Sequence, residues 1–207
     1  MPDPSAAFPR KIAVSSEQKQ RFLSLIRDWL CSLPHDVKVL FEAKDDPNLD
    51  RKARELATGA IVFLLNPESS SGPEFVEYAD DVVLLRQVLR DVKALGGEFA
   101  GDFCGRFGEY YESLDEDLSL CETVMGGDVY AWIASKVPFL TNQIYKGKKV
   151  AQYLDRDEDS ELLYDDGLAF QTEYPIDEEQ LEMRLKKVET LLEPLRRKAI
   201  AQRQMAK

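Results

Sequence analysis

Residues 50–65 read DRKARELATGAIVFLL. Ala53, Leu56, Ala57, Ala60, Ile61 and Leu64 recur at intervals of three and four, the spacing that gathers side chains on one side of an α-helix. Asp50 stands where a short acceptor side chain caps a first turn. Asn66-Pro67 closes the segment, because proline disfavours helical geometry in the residue before it.

The same arithmetic extends outward in both directions. Upstream, Ser15 with Gln18 forms a capping-box pattern. Phe22, Ile26, Trp29, Leu30 and Leu33 then predict a helix over about 16–33. Pro34 reads as the first turn of a second, short helix, where its missing N–H costs nothing. Val37, Leu40 and Phe41 give that helix its apolar side, and Asp45-Asp46-Pro47 stops it. Downstream, Glu68 to Gly72 is a polar loop and Pro73 opens a helix carrying Phe75, Tyr78, Ala79, Val82, Val83, Leu85, Leu89 and Val92. Its apolar residues wrap wide of one stripe, which predicts a central helix touched on more than one side. Gly96-Gly97 ends it.

Gly97, Gly101 and Gly105 lie four apart, as do Phe99, Phe103 and Phe107. The glycine row predicts a very close helix–helix contact, and the phenylalanines predict core. A short helix is expected over 114–125, then a stop and cap at Gly126-Gly127-Asp128. Val129, Trp132, Ile133 and Val137 predict a helix interrupted at Pro138, with Phe139, Leu140, Ile144 and Tyr145 continuing its apolar side. Leu168, Phe170, Thr172, Tyr174 and Ile176 alternate in period two, which reads as an extended clamp or edge strand. Asp177 caps a last helix whose Leu181, Leu185, Val188, Leu192 and Leu195 are spaced 4-3-4-3, a coiled-coil pattern of about two heptads interrupted by Pro194, which reads first as a helix packed on its own domain and second as a dimer seam.

The fold class expected is therefore all-α: a compact multi-helix bundle with a C-terminal amphipathic helix. Its expected parts are a flexible arm over 1–14, a helical domain over 15–146, an acidic linker or clamp over 147–176, and a C-terminal helix with a basic tail over 177–207. Hydrophobic residues make up 44% of the 207, enough for a real core.

Net charge is −11, from 27 Lys and Arg against 38 Asp and Glu. So acidic a chain has no general attraction for phosphate backbones, and a nucleic-acid partner is not expected. The imbalance is local. From Asp155 to Glu182 there are twelve acids and one base, so the remainder sums to zero; Met183 to Lys207 holds eight bases and two acids. No run approaches the roughly 20 apolar residues of a membrane span, and the N-terminus lacks the apolar stretch of a signal peptide. Cys31, Cys104 and Cys121 are odd in number and far apart, which fits reduced, buried thiols of a cytoplasmic protein.

Residues 36–92 carry a resemblance. Asp36-Val37 followed by Leu40-Phe41, the Asp46-Pro47 break, the small-residue helix from Ala53 to Leu65, Asn66-Pro67, and Tyr78-Ala79-Asp80-Asp81 entering the next helix together resemble the YkvA-like family, small bacterial helical domains of unknown function. The resemblance covers a little over a quarter of the chain, within a unit of about 15–95, and implies a helical fold with no defined activity. One departure stands out. Family members carry an apolar loop of the type Pro-Ile-Asp-Leu-Ile-Pro-Asp after the small-residue helix, whereas here Pro67 to Pro73 reads PESSSGP. A membrane or partner role of that loop is not carried over.

Chemical motifs are sparse. Asp80-Asp81 is the most conspicuous polar pair. Neighbours on a helix point about 100° apart, so one is expected inward as a structural polar group, paired with Arg54 or Lys52. The run from Asp155 to Asp166 has calcium-loop spacing in part, with Asp155, Asp157, Asp159 and Asp166 at ligand positions. Ser160 replaces the turn glycine, and Asp166 the bidentate Glu. His35 is the single histidine and lacks any local triad or zinc signature. No cofactor is expected. The preferred reading is a non-enzymatic interaction or regulatory protein. It binds a protein partner through the acidic segment and the C-terminal helix, with Leu181, Leu185, Val188, Leu192 and Leu195 as the contact row. The alternatives are a carboxylate-based calcium-binding or metal-dependent protein using Asp80, Asp81, Asp157 and Asp159, and a structural homodimer.

Overall fold

The computed structural model describes residues 14–66, 78–174 and 178–205. These form an all-α fold. Helix α1 spans Ser16–Asp45, α2 Arg51–Leu65 and α3 Ala79–Leu95, and the three pack together as the centre of the molecule. Around them lie α4 (Ala100–Arg106), α5 (Gly108–Tyr111), α6 (Leu114–Met125), α7 (Gly127–Ala134), α8 (Val137–Leu140), α9 (Gln152–Asp155), α10 (Asp157–Glu173), α11 (Glu178–Arg184) and α12 (Val188–Met205).

The capping box forms as expected. The Gln18 N–H donates to Ser15 Oγ at 3.1 Å and the Ser15 N–H to Gln18 Oε1 at 2.9 Å. Pro34, however, does not start a new helix. It lies inside α1, which runs unbroken for 30 residues. An interior proline costs about 3 kcal/mol. Leu33, Val37, Leu40 and Phe41 are all buried on the continuing side, and burying side chains of this size stabilises by about 1.5–3 kcal/mol each. Burial outweighs the proline.

The central position expected of α3 is observed, since every residue from Ala79 to Leu89 is buried. Asp50 does not cap α2 with its side chain; its own N–H donates to the Gly96 carbonyl at 3.2 Å. Pro73, Phe75, Ile176 and Asp177, which entered the sequence reading, lie outside the described residues, as do residues 1–13 of the expected arm.

Three expectations are corrected. Gly101 and Gly105 face open space, so the glycine row makes no close helix contact. Tight approaches lie elsewhere, one of them at Gly59, where an added Cβ would sit 2.5 Å from the Leu140 carbonyl oxygen. In the phenylalanine row Phe103 is buried, but Phe99 is 47% exposed, and the chain breaks at Phe107 between α4 and α5. Ile144-Tyr145 does not continue a helix. It pairs antiparallel with Lys148-Lys149 as a two-residue hairpin, β1 and β2. Lys146 and Gly147 supply the two positive φ angles, 46° and 77°, that such a turn requires.

The segment expected as an acidic linker and period-two clamp is instead helical. Residues 157–173 form α10, and Leu168, Phe170 and Thr172 lie within it. The last segment is two helices, α11 and α12, with a break at 185–187. Pro194 sits inside α12.

Gly59→Ala is expected to destabilise the chain by about 1–3 kcal/mol, because the Leu140 backbone must shift to admit the methyl. Gly101→Ala, in open helix, is expected to gain up to about 1 kcal/mol. Urea unfolding of the two variants beside the parent checks both; equal midpoints would remove the assigned close approach.

Candidate functional site

The acidic run divides by direction. Asp155, at the end of α9, is held by Arg51 through two bonds of 2.8 and 2.9 Å. Asp159 is 4% exposed and pairs with Lys148 of the hairpin. Asp166 accepts from Lys146 at 2.7 and 2.8 Å and from the Tyr145 hydroxyl at 3.2 Å. These acids therefore fasten α9 and α10 to α2 and to the hairpin. Asp157 is exposed.

The calcium-loop reading of Asp155, Asp157, Asp159 and Asp166 is corrected accordingly. From residue 157 on the run is a helix, which cannot curl its carboxylates around one ion. Among the described residues no group of three His, Cys, Asp or Glu is placed to hold a metal.

The heptad row also changes meaning. Leu181, Leu185, Val188, Leu192 and Leu195 are each no more than 7% exposed, buried in the chain's own core. α11 packs on α1, and α12 on α7. The side chains expected to meet a partner are already covered from within. Ion pairs from Lys19 to Glu189 at 3.2 Å and Arg27 to Glu182 at 3.4 Å reinforce the docking. The Trp132 indole N–H adds a bond to Gln202 Oε1 at 2.7 Å.

Inside the bundle lies a polar seam that the sequence shows only in part. Asp36 and Arg86 are almost wholly buried and pair at 2.9 Å, with Ser32 Oγ donating to the same Asp36 oxygen at 3.1 Å. The Arg86 guanidinium lies between the Trp29 and Tyr110 rings, 5.2 and 4.9 Å from their centroids. Burial pushes the Asp36 carboxyl up to about 7, against the pull of Arg86 and the Ser32 bond. Asp36 Oδ2, Arg86 Nε and both amide atoms of the fully buried Gln87 have no hydrogen-bond partner among the described residues.

Further along α3, Asp80 and Asp81 are both only 3% exposed. Asp80 does not pair with Arg54 or Lys52. It receives Lys136, from the turn between α7 and α8, at 2.8 Å, and Lys198 of α12 at 3.3 Å. Arg54 Nε instead donates to the Lys44 carbonyl at 2.7 Å. Asp81 is pushed up to about 8, first by burial and then by the neighbouring Asp80 charge, with Lys136 and Lys198 opposing. The seam locks α1, α3, α8 and α12 together. Its carboxyls are buried.

On the surface, α10 turns Tyr164 and Leu168 outward, 55% and 52% exposed. They line a groove against α1 with Phe41, Lys38, Glu42, Asp45 and Gln171, enclosing about 190 Å³. Sequence reasoning missed this feature, because the period-two pattern of 168–176 hid the helical spacing of Tyr164, Leu168 and Gln171.

Comparison with the models of known protein families, with curated proteins and with solved structures finds no match to this chain. No described helix is long and apolar enough to cross a membrane. The three cysteines form no disulfide; Cys104 and Cys121 are buried, and burial pushes both thiols up.

The raised carboxyls set the sign of the pH dependence. An unfolded Asp releases its proton near pH 4, whereas Asp81 in the fold holds it to about 8. The folded state binds more protons in that window, so stability falls as pH rises through it, by up to about 1.4 kcal/mol per pH unit for each such group. Asp81→Asn is expected to match the parent near pH 4 and to exceed it increasingly up to pH 8. Chemical unfolding across that range checks this; parallel curves would show that Asp81 does not hold its proton.

Proposed function

We propose that this chain is a non-enzymatic interaction protein that binds a partner through the outward side of α10. The observation carrying the reading is the sorting of its acids. Asp155, Asp159 and Asp166 are neutralised by bases of the same chain. Asp157, Glu158, Glu161 and Asp165 are exposed and make no ion pair with a described residue. Four like charges on one helix repel one another, and neighbouring i,i+4 pairs destabilise the helix by a few tenths of a kcal/mol. A basic partner relieves that cost and is steered to the surface by the same field.

The buried heptad row moves the contact from the C-terminal helix of the sequence reading to α10 and the adjoining side of α1. Kinship of residues 36–92 with the YkvA-like domains is part of the proposal. Its support is the agreement of the Asp46-Pro47 break and the Tyr78–Asp81 helix entry with the ends of α1 and the start of α3.

The test is affinity capture from host extract with the full chain and with a Glu158→Gln, Glu161→Gln, Asp165→Asn variant. Exposed charge pairs contribute about 0.2–1 kcal/mol each, so the variant is expected to retain roughly tenfold less partner. Proteins captured by the parent should carry clustered Lys and Arg and elute with salt. Identical captured sets from the two baits would overturn the reading.

A further inference from the structure

The groove between α1 and α10 has a built floor. Gly167 lies against the Phe41 ring so closely that a Cβ there would collide with it. On the other side the Phe41 and Tyr164 rings meet edge to face, with centroids 5.4 Å apart. Phe41 is 5% exposed and thus fixed between the α10 backbone and Tyr164. Leu168, one turn beyond Tyr164, completes the apolar strip. Tyr164 and Leu168 remain more than half exposed although neither carries a charge that would draw it to water.

The groove also has a length. On α1 its lining runs from Lys38 to Asp45, and on α10 from Tyr164 to Gln171. Seven residues at 1.5 Å each make roughly 10 Å, two helical turns. The lining positions on both helices are spaced three and four apart, so the groove follows the helix axes and accepts a third helix laid along it.

Its rim selects by charge. Of the lining acids on α1, Glu42 makes no ion pair with a described residue and Asp45 is paired with Lys44, beside the base Lys38; on α10 the helical period sets the exposed, unpaired Glu161 and Asp165 next to Tyr164. Two other surface cavities do not select in this way. The groove between α1 and α11 is already crossed by the Arg27–Glu182 pair. In the cavity between α2, α3 and α8 both acids are matched by bases of the chain, Glu55 by Arg51 and Asp91 by Arg90, beside Lys52.

We infer that the α1–α10 groove is the anchor site for an amphipathic helix of a partner protein. That helix places two apolar side chains, three or four residues apart, over Phe41, Tyr164 and Leu168, and flanks them with Lys or Arg. The inference rests on the reading of α10 as the interaction surface and adds the partner's apolar anchor to it.

Two fluorescent helical peptides of equal positive charge separate the two ideas. One carries two Leu spaced four apart on its uncharged side; in the other both are Gln. The full chain is expected to bind the Leu peptide at least tenfold more tightly, since burying one of its two Leu side chains is already worth about that much. Leu168→Glu is the decisive variant, because it adds an acid to an acidic rim while removing the anchor wall. It is expected to abolish the preference for the Leu peptide and to leave the melting temperature unchanged, Leu168 being exposed. Equal binding of both peptides by the parent overturns the anchor and leaves the acidic surface standing. No binding of either peptide overturns both. Unchanged or tighter Leu-peptide binding by Leu168→Glu overturns the anchor. A parent that sediments as a dimer and a Leu168→Glu variant that sediments as a monomer would put a second copy in the groove and overturn it as well.

Discussion

The structure depends on α1 staying continuous through Pro34. The helix is the one surface against which α2, α3, α6, α10 and α11 all pack. Were it to break at the proline, everything after it would rotate relative to Phe22, Ile26 and Trp29. Leu33, Val37, Leu40 and Phe41 would leave the common seam. Asp36 would leave Arg86, which reaches it at 2.9 Å. Lys44, 2% exposed, would lose its bond of 2.6 Å to Ser160, and with it one tie to α10. The lost backbone bond at Pro34 is a local cost, whereas the register it protects is shared by the whole bundle. The groove depends on it too, since Phe41 reaches Gly167 and Tyr164 only from the continued helix.

The buried charges act on the same register in another way. A buried ion pair is weak evidence for stability, because desolvation offsets most of the attraction. What Asp36–Arg86 and the Asp80–Lys136–Lys198 cluster do is penalise alternatives. An apolar helix pair can slide by a turn and still bury its leucines, but these pairs cannot slide without leaving a charge in the core. Lys136 also lies 4.2 Å from the centre of the Trp132 ring, so the indole that anchors Gln202 lies beside the cation that anchors Asp80. α12 is thereby fixed at two points along its length.

The sequence carried the central helices well where one strong period was present. The 50–65 stripe, the Ser15–Gln18 capping box and the crowding of apolar residues on α3 are local patterns, and the structure shows each. It misled where two causes leave the same mark. Pro34 looks like a helix start, and whether it is one depends on tertiary burial that no local window contains. Leu168, Phe170, Thr172 and Tyr174 alternate as a strand does, yet Asp157–Glu173 is one helix, tied down by Asp159–Lys148 and Asp166–Lys146 across 11 and 20 residues. The heptad row was legible as a seam with the chain's own domain ahead of a dimer seam, and it packs into that core, which conflicts with its use as a contact row for a partner. One of Asp80 and Asp81 was legible as an inward polar group, whereas both are buried, and the partners of Asp80, Lys136 and Lys198, lie 56 and 118 residues downstream. Arg86 and Gln87 left no signal, since a charge within an apolar run reads as solvated until its neighbours are known.

The acidic stretch shows why net charge alone is a poor guide to a site. As a linker, its twelve acids would be equivalent, each solvated, and the segment would attract cations without preference. Seven of them, from Asp157 to Glu173, are coiled into α10, and these are no longer equivalent. The helical period sends Asp159 and Asp166 toward the hairpin lysines and Glu158, Glu161 and Asp165 toward water. The same rotation brings Tyr164 and Leu168 to the outer side beside those unmatched acids. Charge then becomes directional, and it borders an apolar surface fixed from below by Phe41. The proposed partner would have to match both features at once, because basic residues alone leave the apolar strip wet, and apolar residues alone meet the unpaired acids. The directional charge of this surface thus comes from folding the acids into a helix, a step that composition does not record.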